Sequence, residues 1–262
     1  MNKITIFILR YFYAAISCLY LFSIGFLNYK NYPLLTTICA HFGYSPKKAI
    51  SHIIPTIKLT EIASDDTTIS IQEPIAIAGN VSLLELIVLN KLIRIHKPGK
   101  IFEIGTFDGR TTLNMAANCS EGAKLYTLDL PSSELYSTKL PIIYGDRFYI
   151  DKKTSGSRYI SKPYADKITQ LYGDSATFDF SPYFNTIDFI FIDGSHSYEY
   201  VLNDTSVAMK LLNDGKGLIL WHDYIMEEVN KALNELYTGH DKRFERLKHI
   251  EGTSLVSLGI FA

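Results

Sequence analysis

From Lys100 onward, short apolar runs alternate with stretches of helical periodicity, and this alternation constrains the fold more than any other feature. The strand-like runs are IFEIG, KLYTLDL, KITQLYGD, IDFIFIDG and GLILWHDY, at 101–105, 124–130, 167–174, 187–194 and 217–224. Helical stretches such as RTTLNMAANC and MEEVNKALNELYTG follow the first and the last of them. Strands that alternate with helices form a mostly parallel sheet with right-handed crossovers. The sequence therefore predicts an α/β fold with helices on both faces of the sheet.

The two ends of this region carry signals of their own. Ser82 and Glu85 fit the capping box that begins a helix. The apolar face predicted for that helix consists of Leu83, Leu84, Ile87, Val88 and Leu92. The tail RLKHIEGTSLVSLGIFA predicts two strands with a turn at Gly252, and such a hairpin adds an antiparallel strand at one sheet edge.

Composition narrows the class of protein. The 262 residues, of which 47% are hydrophobic, suffice for one sizeable α/β domain and an additional segment. A net charge of −1 gives no electrostatic reason to expect nucleic-acid binding. The three cysteines, Cys18, Cys39 and Cys119, form no C-x-x-C pair, so neither a disulfide framework nor a zinc site is indicated. These features fit a protein of the reducing cytoplasm.

The N-terminal segment differs in composition from the rest. Residues 4–27 are apolar except for Arg10 and a few small polar residues. The uninterrupted run after Arg10 is about 17 residues long, the lower limit for a membrane span. Two interpretations stay open, a membrane-associated helix or a helix packed on the protein or a partner. A signal peptide is disfavoured because no A-x-A-like cleavage site follows. We predict a hydrophobic, helical extension over residues 1–75 and a second domain over residues 76–262.

The segment IFEIGTFDGRTT joins the first long strand to a helix and has the features of a ligand-binding turn. Glu103 ends the strand, and Gly105 and Gly109 bracket the turn. Glycines at these positions let backbone N–H groups approach a ligand at a helix N-terminus. The spacing E-x-G-x-x-x-G matches neither the dinucleotide fingerprint G-x-G-x-x-G nor a P-loop.

The next two strand ends also carry ligand-binding residue types. Asp129 is placed to accept hydrogen bonds from ribose hydroxyls, and Gly173-Asp174-Ser175 could meet an adenine ring. Ligands of open α/β sheets bind beyond the carboxyl ends of the strands. The three strand ends together therefore predict a nucleoside-binding site.

These motifs resemble those of class I S-adenosylmethionine-dependent methyltransferases, and the resemblance runs from about Gly79 to the C-terminus. The segments DGSHSYEYV and LILWHDY narrow it to the bacterial group that includes macrocin-type sugar O-methyltransferases. The resemblance implies a Rossmann-like, seven-stranded, mostly parallel sheet with an antiparallel last strand. It assigns to S-adenosylmethionine the residues Glu103, Gly105, Thr106, Phe107, Gly109, Thr111, Asp129, Asp174 and Ser175.

The strand IDFIFI ends in Asp193, and His196 follows three residues later. An alcohol is a poor nucleophile at neutral pH, so methyl transfer to it needs a base, or a metal ion that lowers its pKa. We predict His196 as the base and Asp193 as a second catalytic residue.

The next strand end supplies His222 and Asp223, which with Asp193 form a predicted divalent-cation site. In the macrocin-type enzymes the corresponding trio is all carboxylate and binds magnesium. His222 stands here in place of an acid, which favours manganese, iron or zinc.

The predicted function is S-adenosylmethionine-dependent O-methylation of a small hydroxylated acceptor such as a sugar or glycan precursor, assisted by a divalent cation such as Mg or Mn. The aperiodic interval 131–166 is expected to complete the acceptor pocket, because connections this long within a domain are usually functional. Two alternatives are a nicotinamide-dependent oxidoreductase on a similar sheet and a non-catalytic S-adenosylmethionine-binding protein. Membrane contact through residues 4–27, at the inner face of the membrane, and homo-oligomerisation are left open.

Overall fold

The computed structural model describes residues 3–42, 51–63 and 66–260. The chain divides into two compact units, residues 1–49 and residues 50–262. The sequence places this division later, at residue 75. The structural division lies earlier because residues 51–63 and 66–75 supply buried side chains and backbone hydrogen bonds to the second unit. Ile54, for example, is 2% exposed.

The first unit contains two helices. Helix α1 comprises Lys3–Ser23 and helix α2 comprises Tyr32–His41. Two short 3₁₀ turns, Gly25–Leu27 and Tyr29–Asn31, join them. Within the described residues, α1 is the one helix whose length and apolar composition suffice to cross a membrane.

The second unit is an eight-stranded sheet flanked by helices. Its strands are β1 (Thr56–Ile57), β2 (Lys100–Ile104), β3 (Lys124–Asp129), β4 (Ile168–Tyr172), β5 (Phe189–Ile192), β6 (Gly217–Trp221), β7 (Lys248–Ile250) and β8 (Val256–Ile260). Its helices are α3 (Leu59–Ile62), α4 (Leu83–His96), α5 (Arg110–Asn118), α6 (Arg147–Ile150), α7 (Tyr198–Leu211) and α8 (Glu227–Thr238).

The strand order is β1-β7-β8-β6-β5-β2-β3-β4. Strand β8 is antiparallel to both of its neighbours, and the other strand pairs are parallel. The predicted mostly parallel α/β sheet with a terminal hairpin is thereby confirmed, and Gly252 occupies the hairpin turn with a φ of +76°. The sheet has eight strands where seven were expected. The additional strand is β1, which the sequence shows only as a short apolar piece between prolines.

Alternating side chains of the central strands form a hydrophobic core on each face of the sheet. Phe102, Ile190 and Ile192 pack on one face with residues of α7 and α8. Phe189 and Phe191 pack on the other with residues of α4 and α5. Because β5 is covered on both faces, its four residues are all buried, which explains the continuous apolar run in the sequence.

Helix α4 begins as predicted, with a capping box between Ser82 and Glu85. Its buried face differs from the predicted one. Val88 and Leu92 are buried, but Leu83 and Leu84 are exposed. Buried positions are taken instead by Leu86, Leu89 and Ile93. The difference arises in the first turn, where Glu85 points inward to hydrogen-bond partners near β8.

An extended strap, residues 70–74, lies along α5. Asn118 and Asn114, four residues apart, each exchange two hydrogen bonds with the backbone of the strap, at Ser70 and Gln72 (2.7–2.9 Å). The buried guanidinium of Arg110, one turn earlier, donates to the carbonyls of Glu73 and Pro74. Side chains on one face of α5 thus hydrogen-bond the backbone N–H and C=O groups of the strap, as a neighbouring strand would.

Candidate active site

Parallel strands place their carboxyl ends at one edge of the sheet, and the predicted site residues meet there. The edge receives Gly105 after β2, Asp129 at the end of β3, Asp193 after β5, and the pair His222 and Asp223 after β6. Strand β2 lies between β3 and β5 in the sheet. The predicted cofactor turn is therefore central to the edge.

Gly105 and Gly109 allow the turn after β2 to pack closely against its surroundings. Both have positive φ values, +97° and +83°. A Cβ atom on Gly105 would collide with the backbone of Asp193, and one on Gly109 would lie 2.7 Å from both Gly156 and Tyr159. The two glycines therefore join the cofactor turn to the predicted catalytic strand end on one side and to the segment 131–166 on the other.

Glu103 is fully buried beneath the turn. The hydroxyls of Thr112 and Thr127 donate to its Oε2 at 2.5 and 2.6 Å. Its Oε1 is buried without a hydrogen-bond partner among the described residues. Burial raises the pKa of Glu103 to about 8, and the two threonine hydroxyls oppose that rise only in part. The site thus holds a carboxyl group that a cationic ligand group would stabilise in its ionised form.

Asp129, the predicted ribose acceptor, is paired with two side chains of the segment 131–166. Lys152 Nζ lies 2.8 Å from its Oδ2, and the Ser155 hydroxyl donates to the same oxygen. The backbone N–H of Thr106 lies 3.4 Å from Oδ1. A ribose would therefore share or replace these partners.

Asp174, the predicted adenine contact, is also engaged. Its carboxylate accepts hydrogen bonds from the Tyr200 hydroxyl (2.7 Å) and from the backbone N–H groups of Lys139 (2.6 Å) and Ala176 (2.8 Å). The carbonyl of Ser175 accepts from Asn203 at 3.2 Å. These contacts order the loop after β4 and attach the segment 131–166 to it.

The other three predicted cofactor residues lie on or beside the turn. The Thr106 hydroxyl is 2.6 Å from that of Thr127, and Thr111 is buried in the first turn of α5. Phe107 has a φ of +49°, and its ring lies edge-on to Tyr149 with centroids 5.5 Å apart.

His196 lies between two carboxylates. Its Nδ1 donates to Asp146 Oδ1 at 2.6 Å, and its Nε2 donates to Asp223 Oδ2 at 2.8 Å. Burial opposes protonation of the ring, but the hydrogen bonds and charges of Asp146 and Asp223 outweigh it and raise the pKa of His196 to about 10. In this arrangement His196 is an imidazolium.

His222 is enclosed in the same way. Its Nδ1 lies 2.9 Å from Asp193 Oδ1 and 3.1 Å from Asp223 Oδ2, and its Nε2 lies 3.2 Å from Glu85 Oε2. Burial again opposes protonation, yet Asp193, Asp223 and Glu85 raise the pKa of His222 well above its usual range. We call these two histidines and four acids the acid–histidine cluster; its acids are Glu85, Asp146, Asp193 and Asp223. With both rings protonated, the cluster retains an excess of two negative charges.

Sequence reasoning missed Asp146 and Glu85. Asp146 lies in the aperiodic segment 131–166, where no spacing relates it to His196, yet it also accepts hydrogen bonds from Ser195 Oγ (2.7 Å) and His196 N (2.9 Å). Glu85 was recognised only as a helix cap. Its second role, as a hydrogen-bond partner of Ser254 and His222, depends on how α4 packs beside β8.

The donor atoms in the cluster fit a divalent cation. One ligand atom each from Asp193, His196 and Asp223 lie within 4.8 Å of one another. Two carboxylates with one imidazole suit manganese, iron or zinc better than magnesium. The predicted set named His222 in place of His196. His222 also contacts both carboxylates, and the ring nitrogens of both histidines are occupied by carboxylate oxygens.

Comparison with known proteins shows which family and which fold this chain resembles. Residues 102–224 match the family described as "Methyltransferase domain", and that range includes every predicted site residue from Glu103 to Asp223. The match covers less than half of the chain, and it agrees with the predicted enzyme class, a methyltransferase. An uncharacterised protein of Acanthamoeba polyphaga mimivirus is 38% identical over 63 residues, or 21% of this chain and 28% of that protein's own length.

Solved structures show the likeness of fold. The SAH-bound methyltransferase of Podospora anserina has a TM-score of 0.51 and 14% identity, covering 70% of this chain and 81% of that one. The O-methyltransferase of Bacillus cereus in complex with SAH has a TM-score of 0.46 and 19% identity, covering 70% and 84%. At these identities the likeness concerns the fold, and the first of them confirms the Rossmann-like architecture.

The buried carboxyl of Glu103 predicts a pH-dependent effect on stability. Because its pKa is about 8 in the folded protein, against 4.5 for an unperturbed glutamate side chain, the folded state retains a proton that the unfolded state loses. Stability therefore falls as the pH rises from about 5 to about 8. Glu103→Gln removes this pH dependence and should raise the thermal midpoint at pH 8 more than at pH 5. Thermal unfolding of both proteins across this range measures the difference.

The matched control is Glu121→Gln, because Glu121 is exposed on the turn before β3. It should shift the midpoint little at either pH. An equal midpoint for Glu103→Gln and the unmodified protein at both pH values would contradict the protonated state assigned to Glu103.

Proposed function

We propose that this protein is an S-adenosylmethionine-dependent O-methyltransferase that acts on a small hydroxylated acceptor. The observation that carries the proposal is the direct packing of the cofactor turn on the acid–histidine cluster. Gly105 lies against the backbone of Asp193, so a methyl donor held at the turn would face the cluster. This puts a proton acceptor near the hydroxyl oxygen that would receive the methyl group.

In this proposal the residues after β2, β3 and β4 hold the cofactor. The ammonium group and sulfonium of S-adenosylmethionine are cationic, and the buried Oε1 of Glu103 is a suitable partner for such a charge. Asp129 is the ribose acceptor, with Lys152 and Ser155 displaced or shared. Asp174 and Ser175 border the adenine, and the N-terminus of α5 completes the site.

His196 is the proposed general base. Its hydrogen bond to Asp146 fixes the ring orientation through Nδ1. In the proposal, separation of Asp223 from Nε2 removes one of the two carboxylates that favour the protonated ring, so that Nε2 can lose its proton and then accept one from an acceptor hydroxyl. Asp223 occupies Nε2 in the present arrangement, so an acceptor must compete with that carboxylate. Asp193 is the second proposed catalytic residue, at the strand end beside the methyl donor.

A divalent cation fits the same proposal through Asp193 and Asp223. Such an ion would lower the pKa of an acceptor hydroxyl and neutralise part of the excess negative charge. His222 then serves to hold the two carboxylates in place rather than to coordinate, because Glu85 fixes the opposite side of its ring.

The acceptor pocket is proposed to be bordered by the segment 131–166. That segment supplies Asp146 to the base and Lys152 to the cofactor site, and its exposed Tyr136 and Tyr144 stack with Arg147. Aromatic and cationic groups of this kind suit a polar, hydroxylated molecule such as a sugar. The resemblance to macrocin-type sugar enzymes points the same way and stays a prediction.

We also propose that residues 4–27 attach the protein to a membrane and leave the methyltransferase domain in the cytosol, where S-adenosylmethionine is made. The supporting observation is α1, which is long and apolar enough to cross a membrane and is mostly exposed. Assembly into homo-oligomers is a separate expectation that sedimentation would measure.

Calorimetric titration of the full-length protein tests the cofactor class. We expect binding of S-adenosylmethionine and no binding of NADH, because the turn after β2 lacks the dinucleotide fingerprint. Asp129→Ala should weaken binding by roughly tenfold through loss of the ribose acceptor. Asp166→Ala, at an exposed acid in the same region, is the matched control. Binding of NADH alone would support the oxidoreductase and overturn the proposal.

Substitution of the base tests the catalytic assignment. His196→Ala should leave S-adenosylmethionine affinity within about twofold and lower turnover by roughly 10²–10⁴-fold. The control is His240→Ala, at an exposed histidine after α8. Unchanged turnover would remove the role of His196, and binding without turnover on any acceptor would favour the non-catalytic alternative.

Assays after chelation, with and without added manganese, test the divalent cation separately from the base. Full activity without metal would contradict a role for the cation.

A further inference from the structure

The surface of α1 is apolar on all sides. Its exposed large apolar residues are Ile4, Phe7, Ile8, Leu9, Tyr11, Phe12, Tyr13, Ile16, Leu19, Tyr20 and Phe22. Residues 7–9 and 11–13 are exposed in unbroken succession, and neighbouring residues of a helix point about 100° apart. The exposed apolar surface therefore surrounds the helix, and of its described side chains only Ala14 and Ser17 are buried. A helix of this kind lacks the polar face of one that lies flat on a membrane.

Helix α2 runs back along α1. Arg10 Nη1 donates to the carbonyl of His41 at the end of α2 (3.5 Å), and the rings of Tyr13 and His41 lie 5.6 Å apart. The rings of Phe7 and Phe42 lie 6.1 Å apart. The chain therefore leaves α2 beside residues 7–13, in the first half of α1. We call residues 3–42 the N-terminal hairpin.

The turn of the hairpin is internally hydrogen-bonded. Asn31 Nδ2 donates to the carbonyl of Gly25 at 2.7 Å and to the Tyr20 hydroxyl at 3.3 Å. The backbone N–H of Lys30 donates to Asn28 at 3.0 Å. Such a turn satisfies its own backbone while it presents one charged residue, Lys30, at the tip.

Charge in this part of the chain has a single sign. The first 60 residues contain six basic residues and no Asp or Glu, the first acid being Glu61. The basic residues are Lys3, Arg10, Lys30, Lys47, Lys48 and Lys58. Five of the six lie in the sequence before the middle of α1 or after the end of α2, and therefore outside the tip of the hairpin. This charge is complementary to anionic lipid headgroups, which attract basic residues with about 1 kcal/mol each.

The dimensions agree with insertion into a bilayer. The 21 residues of α1 span about 31 Å, close to the roughly 30 Å of a hydrocarbon core. Arg10 lies about 10 Å along the axis from Lys3, so its long side chain can reach the headgroups of the nearer leaflet. Its hydrogen bond to His41 also pairs the guanidinium with the carbonyl end of α2.

We propose that the N-terminal hairpin inserts into an anionic lipid bilayer as a re-entrant element, with both of its ends on the cytosolic side. The inference deepens the proposed membrane attachment and does not depend on methyl transfer. A single-pass span would instead place the first residues and residues 50–262 on opposite sides. Because α2 returns the chain to the first half of α1, the hairpin favours the same side for both.

Labelling of single cysteines in the full-length protein tests the topology. Cys18, Cys39 and Cys119 are replaced by serine, and one cysteine is introduced as Asn2→Cys or as Glu251→Cys, an exposed position in the second unit. A membrane-impermeant maleimide is applied to spheroplasts and to inverted vesicles of the expressing bacterium. We expect both cysteines to react only in inverted vesicles. Reaction of Asn2→Cys only in spheroplasts would overturn the hairpin and establish a single-pass span.

Flotation with vesicles tests whether lipid is the partner. The purified full chain should float with phosphatidylglycerol vesicles, float less with phosphatidylcholine vesicles, and resist extraction at alkaline pH from the former. The variant carrying Phe12→Glu and Leu19→Glu should bind phosphatidylglycerol vesicles at least tenfold more weakly, since both residues are exposed on α1. The variant carrying Tyr136→Glu and Ile225→Glu, exposed in the second unit, is the matched control.

The flotation outcomes separate the alternatives. Insertion into lipid would be overturned if the α1 variant still bound the vesicles or if the unmodified chain did not float. If the unmodified chain does not float and forms a concentration-dependent oligomer, the apolar surface of α1 belongs to an interface with a second copy. Circular dichroism and thermal unfolding of the α1 variant report whether the second unit is still folded. These membrane experiments can be interpreted even if the protein shows no methyltransferase activity.

Discussion

Two histidine rings held between carboxylates connect elements that are distant in the sequence. His196 joins the segment 131–166, through Asp146, to the end of β6, through Asp223. His222 joins the ends of β5 and β6 to Glu85 of α4. Buried ion pairs of this kind gain little net stability, because desolvation offsets much of the attraction. Their consequence is geometric, since each ring is fixed through both of its nitrogens.

The segment 131–166 links the cofactor site to the proposed base. Its backbone hydrogen-bonds to the cofactor turn, from Gly156 to Phe107 (3.0 Å) and from Arg158 to Asp108 (2.9 Å). The Arg158 guanidinium also contacts the carboxylates of Asp108 (2.6 Å) and Glu73 (2.9 Å). The same segment supplies Asp146 to His196. The segment 131–166 therefore contacts both the predicted cofactor turn and His196.

The site contains features that stability alone would not favour. Glu103 buries a carboxyl oxygen without a partner among the described residues, and Asp223 holds a positive φ of +59° although it is not a glycine. Asp204 of α7 is a third case, because burial raises its pKa to about 7 and its Oδ2 likewise lacks a described partner. Local departures of this kind concentrate at functional sites, where the surrounding fold maintains them. Glu103 and Asp223 both lie at the carboxyl edge of the sheet.

The sequence by itself determined the fold class and located the predicted cofactor residues at the ends of strands. Apolar runs that end in Glu103, Asp129 and Asp193 are readable because strand periodicity and strand-end chemistry are local properties. The glycines of the cofactor turn are readable for the same reason. The hairpin at Gly252 and the capping box at Ser82 also follow from short-range patterns.

Only the tertiary structure decided which distant groups act together. Asp146 and Glu85 lie 50 and 137 residues from the histidines they contact, and no periodicity carries that information. The carboxylates on either side of His196 and His222 likewise come from separate elements, which only the packing brings together. Strand β1 forms because β7 supplies its hydrogen bonds. The strap 70–74 likewise depends on hydrogen bonds from the side chains of α5. Local chemistry therefore fixes what each residue can do, and long-range packing fixes its partner.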